Sequence, residues 1–322
     1  MAFRAFHSIE DWAGHFEGAR GTAVTVGNFD GLHLGHQKIL QSVRAYARAN
    51  GQRAAVITFD PHPMRVLRPD RAPLMIQTLA QRLDGFEQMG LDAALVLRFD
   101  HALSLVPAEE FIERILVRGL HTGAILVGAN FRFGHRGAGD VRLLGEFGKR
   151  NGFDVEVVPP VEVGGQIVSS TAIRSAVTSG DVEGAIPLLG RAFSLTGEIR
   201  AGAGRGRTIL FPTLNLAPEQ ELLPKLGVYA TESVVSGRHY SSVTNVGTRP
   251  TFNEAGITVE SHLFEFREDL ARGAMEVRFH MRIRDERKFS GADELRAQIA
   301  RDIETARKFF SERALAGHSA RD

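Results

Sequence analysis

Short apolar runs alternate with helix-like patterns through the first half of the chain. The runs are uninterrupted rather than mixed with polar residues, which predicts strands that are buried on both faces. Because most runs are followed by a segment with apolar residues at helical spacing, the pattern indicates a parallel sheet with right-handed crossovers. The predicted strands are Thr22–Val26, Ala54–Thr58, Ala94–Leu97, Ala124–Val127 and Val155–Val158, and the predicted helices are Gln37–Ala49, Leu79–Met89, Ala108–Val117 and Leu143–Arg150.

The second half has a different period, because apolar and polar residues alternate along it from about Ser194. This pattern predicts an antiparallel sheet, here a small barrel, and one amphipathic helix then closes the chain. The strand with the clearest pattern turns Val277, Phe279, Met281 and Ile283 inward, the other alternating segments are Leu195–Arg200, Val228–Val234, Ser241–Val246 and Thr258–Phe266, and the helical stripe is Leu295, Ile299, Ile303, Ala306 and Phe310.

These two patterns predict two domains of different class. The expected fold is an α/β, Rossmann-like domain followed by a small antiparallel β-barrel with a C-terminal helix. A helical segment gives way to the first alternating strand near the middle of the chain, so the predicted domains are residues 1–186 and 187–322. A chain of 322 residues is long enough for both.

Composition and charge exclude several classes of partner. A net charge of +1 argues against a non-specific nucleic-acid binder, so no nucleic-acid partner is expected. No apolar stretch reaches the ~20 residues that cross a bilayer, and the N-terminus does not resemble a signal peptide, so no membrane partner is expected. The absence of cysteine excludes disulfides and thiol catalysis and fits a cytoplasmic protein. A weak homo-oligomer is compatible with these expectations.

Two histidines, turn glycines and a carboxylate lie between the first predicted strand and the helix after it, in the sequence G-N-F-D-G-L-H-L-G-H at residues 27–36. The first N–H groups of a helix lack partners and its dipole is positive there, so this junction favours phosphate binding. His33 and His36 can both face such a phosphate. The alternatives are ordinary surface or capping histidines, or a zinc site whose third ligand is not obvious. The candidate binding residues beside the histidines are Gly27, Asn28, Phe29, Asp30, Gly31 and Gly35.

Three further motifs of the first half carry polar or aromatic groups. T-F-D-P-H-P holds His62 in a loop stiffened by prolines, which suits a rigid wall or a phosphate contact. V-G-A-N-F-R-F-G contains Asn130 and Phe131, which suit a flat ring with a polar edge. The third motif, V-S-S-T-A-I-R, opens a helix and offers a second anion site with Ser169, Ser170, Thr171 and Arg174. The alternatives for the three motifs are, in the same order, a loop that only ends a strand, a glycine-rich turn with core phenylalanines, and a capped helix with a surface arginine.

The second half contains its own candidates. Thr213 and Asn215 lie two apart on an extended segment, so they share a face and can hold Mg²⁺ beside nucleotide phosphates. Glu260 falls in a strand otherwise poor in acids and can accept a proton, and Arg284 can contact flavin or phosphate. Solvated charges, a basic turn and a surface-facing glutamate are the alternatives. A flexible, positively charged loop before Thr213 and a polar motif before Glu260 add the candidates Gly204, Arg205, Gly206, Arg207 and Asn245.

Taken in order, these motifs resemble the bacterial bifunctional riboflavin kinase/FAD synthetase (FMN adenylyltransferase) family over most of the chain. The matches are G-N-F-D-G-L-H-L-G-H, T-F-D-P-H-P, V-G-A-N-F-R-F-G and V-S-S-T-A-I-R, and then G-E-I-x-x-G-x-G-R-G-R, F-P-T-L-N, N-V-G-T-R-P-T-F, V-E-S-H and R-I-R-D-E-R-K-F. The chain departs from the family pattern near Leu270–Gly273, where members often have Tyr-Gly, and at two single positions. Asp60 stands where members usually have glutamate, and Leu210 stands where they usually have the glycine before F-P-T.

The resemblance implies two coupled reactions, with ATP as co-substrate, Mg²⁺ as cofactor, and riboflavin, FMN and FAD as substrates and products. A nucleotidyltransferase domain would transfer AMP from ATP to FMN, and a riboflavin kinase-like barrel would phosphorylate riboflavin. Two alternatives remain: an FMN adenylyltransferase whose kinase module is degenerate because of Leu210, and a non-catalytic flavin-binding or sensing protein. The implied catalytic residues are His33, His36, Arg174 and Glu260, with Thr213 and Asn215 at the metal.

Overall fold

The computed structural model describes residues 2–16, 21–200, 211–248, 256–267, 270 and 272–319. The chain divides into two compact units, Met1–Ser170 and Thr171–Asp322. The first unit contains a parallel sheet and the second a closed barrel, in the order that the sequence pattern predicts. The domain boundary at 186/187 remains a prediction.

The first unit contains the strands β1 (Arg4–Phe6), β2 (Thr22–Val26), β3 (Arg53–Asp60), β4 (Ala93–Arg98), β5 (Thr122–Gly128) and β6 (Asp154–Val158). They form one parallel sheet in the order β1-β4-β3-β2-β5-β6. All residues of β2 are buried, which explains its uninterrupted apolar run. The sequence pattern does not predict β1, because three residues are too few to show a period. A small hairpin pairs β7 (Glu162–Val163) with β8 (Gln166–Ile167).

The helices of this unit cover both faces of the sheet. They are α1 (Ile9–His15), α2 (Leu34–Ala49), α3 (Pro63–Leu67), α4 (Leu79–Gln88), α5 (His101–Ser104), α6 (Ala108–Glu110) and α7 (Val141–Asn151). The helix predicted at residues 108–117 is present, but it winds with π-type turns over Phe111–Gly119. Alternate residues of the same strands belong to two different apolar clusters, so the sheet is buried on both sides as predicted.

The second unit contains the strands β9 (Phe193–Arg200), β10 (Leu214–Pro218), β11 (Gly227–Val235), β12 (Arg238–Thr248), β13 (Ile257–Leu263) and β14 (Ala274–Arg284). These form a closed antiparallel barrel in the order β10-β13-β12-β11-β14-β9, which confirms the predicted class. The remaining α-helices are α8 (Ser170–Ser179), α9 (Val182–Leu189) and α10 (Ala292–Ser319). Across the described part of the chain, no helix combines the length and the apolar character needed to span a membrane.

The inward set predicted for β14 is wrong in its second half. Val277 and Phe279 are fully buried, but the register with β11 then shifts twice, and the extra residues are His280 and Ile283. Because a one-residue insertion reverses which side chains face inward, the alternation of inward-facing side chains does not continue through these two shifts. Met281 and Ile283 are only partly buried and pack with apolar residues of α10. The alternation of apolar and polar residues in the sequence continues through both shifts and gives no sign of them.

A cluster of buried hydroxyl groups lies inside the barrel. Thr231 Oγ1 lies 2.8 Å from Ser242 Oγ and 2.6 Å from Thr244 Oγ1. The chain of contacts continues from Ser242 to Ser233 and from Thr244 to Ser261, each at 2.8 Å. All of these side chains are fully buried, so their hydroxyls satisfy one another where water does not reach.

Replacing Thr244 with valine should destabilise the barrel by about 1–3 kcal/mol, because the Thr231 and Ser261 hydroxyls would each lose a buried partner without any change in side-chain volume. Urea denaturation of the whole chain measures this loss. Thr258→Val is the matched control, since Thr258 is only half-buried and makes one long contact of 3.4 Å to Gly247 O. Equal stability of the two variants would contradict the account of the cluster.

Candidate functional site

The candidate phosphate site lies where the strand order of the parallel sheet reverses. From β2 the chain moves outward through β3 and β4 on one side, and later through β5 and β6 on the other. Ligands of such sheets bind beyond the carboxyl ends of the strands at this switch point. Gly27 follows β2, His62 follows β3 and Asn130 follows β5. The fold therefore brings these three predicted motifs to one edge of the sheet.

The loop between β2 and α2 has an unusual backbone. Phe29, Gly31 and Leu32 have positive φ angles of 50°, 91° and 40°, a region that is costly for residues with a side chain. The Asp30 carboxylate, only 2% exposed, accepts hydrogen bonds from the backbone N–H groups of residues 76 and 77 at 3.0–3.1 Å. These contacts fix the strained loop, and direct binding of nucleotide by Asp30 stays a prediction.

The two histidines of the motif are held face to face. His33 caps α2, and its Nδ1 accepts a hydrogen bond from the His36 backbone N–H at 3.2 Å. The two rings stack with centroids 3.6 Å apart, and the buried Phe29 ring lies 5.0 Å from that of His36. Because an accepting nitrogen carries no proton, neutral His33 has its proton on Nε2 and can donate from there. Among the described residues, no group of three His, Cys, Asp or Glu side chains could hold a metal ion, so the zinc alternative lacks a ligand there.

Replacing Gly35 with alanine should lower the AMP transfer that the family resemblance implies roughly tenfold to 100-fold, because the new Cβ would lie 3.1 Å from Cε1 and 3.2 Å from Nδ1 of His33. The His33 ring already stacks on His36, so it has little room to yield. Gly145→Ala is the control, since nothing lies within 4 Å of its Cβ position in α7. Steady-state rates of FAD formation from FMN compare the two variants, and equal rates would show that the ring position does not matter.

His62 is held by two contacts from neighbouring segments. It caps α3, its Nδ1 accepts from the Met64 backbone N–H at 3.2 Å, and its Nε2 lies 3.1 Å from the Asn28 side-chain amide. The preceding Asp60–Pro61 peptide is cis. The structure therefore links two predicted binding residues, Asn28 and His62, across the ends of adjacent strands.

The predicted aromatic motif after β5 divides into a core residue and an exposed one. Phe133 is buried and packs against Phe111, so the alternative of a core phenylalanine applies to it. Phe131 is half-buried and stacks on Phe133 with centroids 5.3 Å apart, and Asn130 is exposed at the turn beside it. A ring contact by Phe131 and a polar contact by Asn130 stay predictions.

The hydroxyl motif at the start of α8 is joined to the histidine loop. Ser170 Oγ donates to the Asp30 carbonyl oxygen at 2.8 Å, which ties the first residue of this helix to the strained backbone. Ser169 precedes it and is half-buried. Thr171 and Arg174 lie further along α8, and their predicted contact with leaving phosphates remains untested.

The candidate residues of the barrel form a row across three strands. Glu260 of β13 pairs directly with Asn215 of β10 on one side and with Asn245 of β12 on the other. Directly opposite residues of antiparallel strands lie on one face, with Cβ atoms about 5 Å apart. In the adjacent rows, Leu216, Val259 and Ser261 are fully or almost fully buried in the barrel, and Leu214 is half-buried. The row around Glu260 therefore lies on the outer face of the barrel.

An oxygen of Asn215 is suited to bind a cation. The side chain is 9% exposed, and Oδ1 is buried with no hydrogen-bond partner among the described residues. An unsatisfied buried oxygen costs free energy, so a ligand at this atom is favoured. Thr213 lies immediately before β10 and is half-buried.

Sequence comparison assigns a family to each half of the chain. Residues 16–172 match the FAD synthetase family, and residues 189–310 match the riboflavin kinase family. The bifunctional riboflavin kinase/FMN adenylyltransferase of Escherichia coli K12 is 38% identical over 291 residues, which cover 90% of this chain and 93% of that protein. The Bacillus subtilis protein of the same name is 35% identical over 297 residues, which cover 90% and 93%.

This chain belongs to the bifunctional riboflavin kinase/FMN adenylyltransferase family. A crystal structure from Streptococcus pneumoniae, titled as a macrolide-efflux protein, shares the fold with a TM-score of 0.85 and 29% identity over 95% of this chain and 99% of that one. Both the family and the order of its two modules agree with the resemblance seen in the sequence motifs.

Three residues that support the family's motifs are missing from the sequence-based candidates. Arg82 of α4 is 2% exposed and donates to Asn28 O at 2.9 Å. His262 Nδ1 lies 2.9 Å from Pro212 O and so holds the segment before Asn215. Gly247 leaves no room for a side chain, because Glu286 Oε1 and Asn245 Nδ2 lie within 3 Å of the Cβ position. Sequence signals exist for two of them: Arg82 lies one turn before the buried Phe86, and His262 lies two residues after Glu260.

Arg284 lies in a structural ion pair. Its Nε is 3.0 Å from both carboxylate oxygens of Asp302, and its Nη2 is 2.8 Å from Oδ2. Asp302 belongs to α10 and is almost fully buried, so this pair fixes the helix to β14. A contact of Arg284 with flavin or phosphate stays a prediction. The predicted loop residues Gly204, Arg205, Gly206 and Arg207, and the family departure Leu210, lie outside the described residues.

Proposed function

We propose that this chain makes FAD from riboflavin in two ATP-dependent steps, one in each unit. The second unit phosphorylates riboflavin to FMN, and the first unit transfers AMP from ATP to FMN and releases pyrophosphate. The observation that carries the proposal is that one chain holds two separate polar arrays, the stacked His33–His36 pair and the row around Glu260. The names of the relatives that match both units support it.

AMP transfer requires positioning more than covalent chemistry. A phosphate oxygen of FMN attacks the α-phosphorus of ATP, and the bond from that phosphorus to the bridging oxygen of pyrophosphate breaks. His33 donates from Nε2 to the charge on the α-phosphate, and His36 supplies the second imidazole of the stacked pair. The N-terminus of α2 adds its dipole to the same end of the site. Ser170, at the end of the first unit, would contact the leaving pyrophosphate, and the roles of Thr171 and Arg174 stay predictions from the sequence motif.

Riboflavin phosphorylation requires a proton acceptor beside a held phosphate. The 5′-hydroxyl oxygen attacks the γ-phosphorus of ATP, the bond to the bridging oxygen breaks and ADP leaves. Glu260 accepts the hydroxyl proton as the new bond forms. The amides of Asn215 and Asn245, on either side in register, orient the groups that approach the carboxylate.

The residues beside Glu260 fit a magnesium ion. Asn215 Oδ1 is a buried oxygen without a partner among the described residues, and Mg²⁺ prefers oxygen ligands. Thr213 would add its hydroxyl from the segment just before β10. When bound, the ion neutralises charge on the ATP phosphates.

A chromatographic product assay tests the proposed function. With riboflavin and MgATP the chain should form FMN and then FAD, and with FMN and MgATP it should form FAD and pyrophosphate. FAD from supplied FMN but no FMN from riboflavin would favour the adenylyltransferase with a degenerate kinase. Flavin binding without ATP consumption would favour the non-catalytic alternative. The cytoplasmic location and the absence of a nucleic-acid partner remain predictions from composition, and the weak homo-oligomer also stays a prediction.

A further inference from the structure

Arg82 joins the ends of two strands that carry the candidate site for AMP transfer. Its Nη1 donates to Asn28 O at 2.9 Å, to Thr58 Oγ1 at 3.0 Å and to Phe59 O at 3.4 Å. Thr58 Oγ1 in turn donates to Asn28 O at 3.3 Å. Guanidinium, hydroxyl and carbonyl groups thus form a closed triangle where β2 and β3 end.

The charge of Arg82 is buried at a cost. The side chain is 2% exposed, and burial lowers the pKa of Arg82, while the negative charges of Asp30 and Asp60 oppose the shift. Asp60 Oδ1 lies 3.7 Å from Nη2, and Nε has no hydrogen-bond partner among the described residues. An apolar residue would fill this place in the helix stripe without the desolvation penalty of a cation. The presence of a buried charge at this position therefore indicates that the Arg82 side chain does more than fill space in the core.

The contacts of Arg82 lead to the imidazoles of the site. Asn28, whose carbonyl Arg82 holds, contacts His62 Nε2 through its side chain at 3.1 Å. One turn further along α4, Phe86 packs edge-on against Phe29 with centroids 5.8 Å apart, and Phe29 packs against the ring of His36. One face of α4 thus supports both ends of the histidine loop.

We propose that Arg82 is a positioning residue for AMP transfer, which fixes Asn28 and, through it, His62 and the start of the histidine loop. The proposal rests on the proposed function of the first unit. The planar fork of arginine presents two nitrogens in fixed directions: Nη1 contacts Asn28 O and Thr58 Oγ1, while Nη2 lies 3.5 Å from Phe59 O and 3.7 Å from Asp60 Oδ1. The single ammonium of lysine, on a flexible stem, has no second nitrogen in that plane. Arg82→Lys therefore keeps the charge and loses the geometry.

The test compares Arg82→Lys with Arg71→Lys, whose side chain is 69% exposed in the same unit. The measurements are kcat and KM for FMN and ATP in FAD formation, the rate of FMN formation from riboflavin by the same preparation, and the melting temperature. Arg82→Lys should lower kcat for FAD formation roughly 100-fold, with both KM values within about threefold. The rate of FMN formation and the Arg71→Lys variant should match wild type.

Thr58→Val supplies a second variant, because it removes the shared hydroxyl and keeps the side-chain volume. It should lower the same kcat, and the double variant with Arg82→Lys should be less impaired than the product of the two single effects. If the effects of the two substitutions on kcat simply multiplied in the double variant, the inference that Arg82 and Thr58 act as one unit would be wrong.

Three other outcomes overturn the role of Arg82. An unchanged kcat for FAD formation in Arg82→Lys would show that the hydrogen bonds of the guanidinium do not affect AMP transfer. A rise in KM at constant kcat would assign the residue to substrate binding. Parallel loss of both activities with a lower melting temperature would make it a residue of the fold alone. A wild-type chain that makes no FAD from FMN would overturn the proposed function itself, and the role of Arg82 with it.

Discussion

His36→Ala should reduce FAD formation from FMN by two to three orders of magnitude and leave FMN formation from riboflavin near the wild-type rate. The removed imidazole belongs to the stacked pair at the first turn of α2, which is where the proposed mechanism places the charge that develops on the α-phosphate. Loss of one preorganised donor of this kind costs about 3–4 kcal/mol of transition-state stabilisation. Separate initial rates, with FMN and with riboflavin as the flavin, measure both effects.

His101→Ala is the control for this prediction, because His101 is an exposed histidine of α5 in the same unit and its imidazole has no part in the motif. Its rates should equal those of wild type. If His36→Ala impaired FMN and FAD formation equally, the assignment of the histidine pair to AMP transfer alone would be wrong.

Glu260→Gln should reduce FMN formation by about two to four orders of magnitude and leave FAD formation from supplied FMN unchanged. Glutamine keeps the shape of the side chain between Asn215 and Asn245 but cannot accept the proton of the riboflavin hydroxyl. The effect should appear in kcat, with a smaller change in KM for riboflavin, because the lost interaction belongs to the transition state.

Glu219→Gln serves as the matched control, since Glu219 is exposed in the same unit and only its backbone N–H makes a described hydrogen bond. A normal rate of FMN formation in Glu260→Gln would remove the carboxylate from the mechanism. The row would then be a structural feature of the barrel.

The fold class could be predicted from the sequence because the burial of a strand determines its pattern of apolar and polar residues. A strand buried on both faces, such as β2, is an apolar run, and a barrel strand such as β13 alternates. The edge strand β1 is too short to leave a period. The register shifts at His280 and Ile283 were also missed, because register depends on the partner strand β11 and not on the alternation of β14 itself.

The candidate site could be predicted as a set of motifs but not as an arrangement. The strand–glycine–histidine sequence indicates an anion site by itself, since a helix N-terminus follows it. The pairing of Glu260 with Asn215 and Asn245 depends on the register of three strands, which the sequence does not specify. Arg82 was missed because its partners are backbone carbonyls and a hydroxyl distant in sequence. The family resemblance was confirmed, but the roles of individual residues stay predictions.

The central claim is that two separate sites in one chain carry out two consecutive reactions. The most direct test mixes the His36→Ala and Glu260→Gln variants with riboflavin and MgATP and follows the flavins by chromatography. The account predicts that the first variant alone stops at FMN, that the second alone leaves riboflavin unchanged, and that the mixture forms FAD. A mixture that forms no FAD, although the first variant supplies FMN, would contradict it.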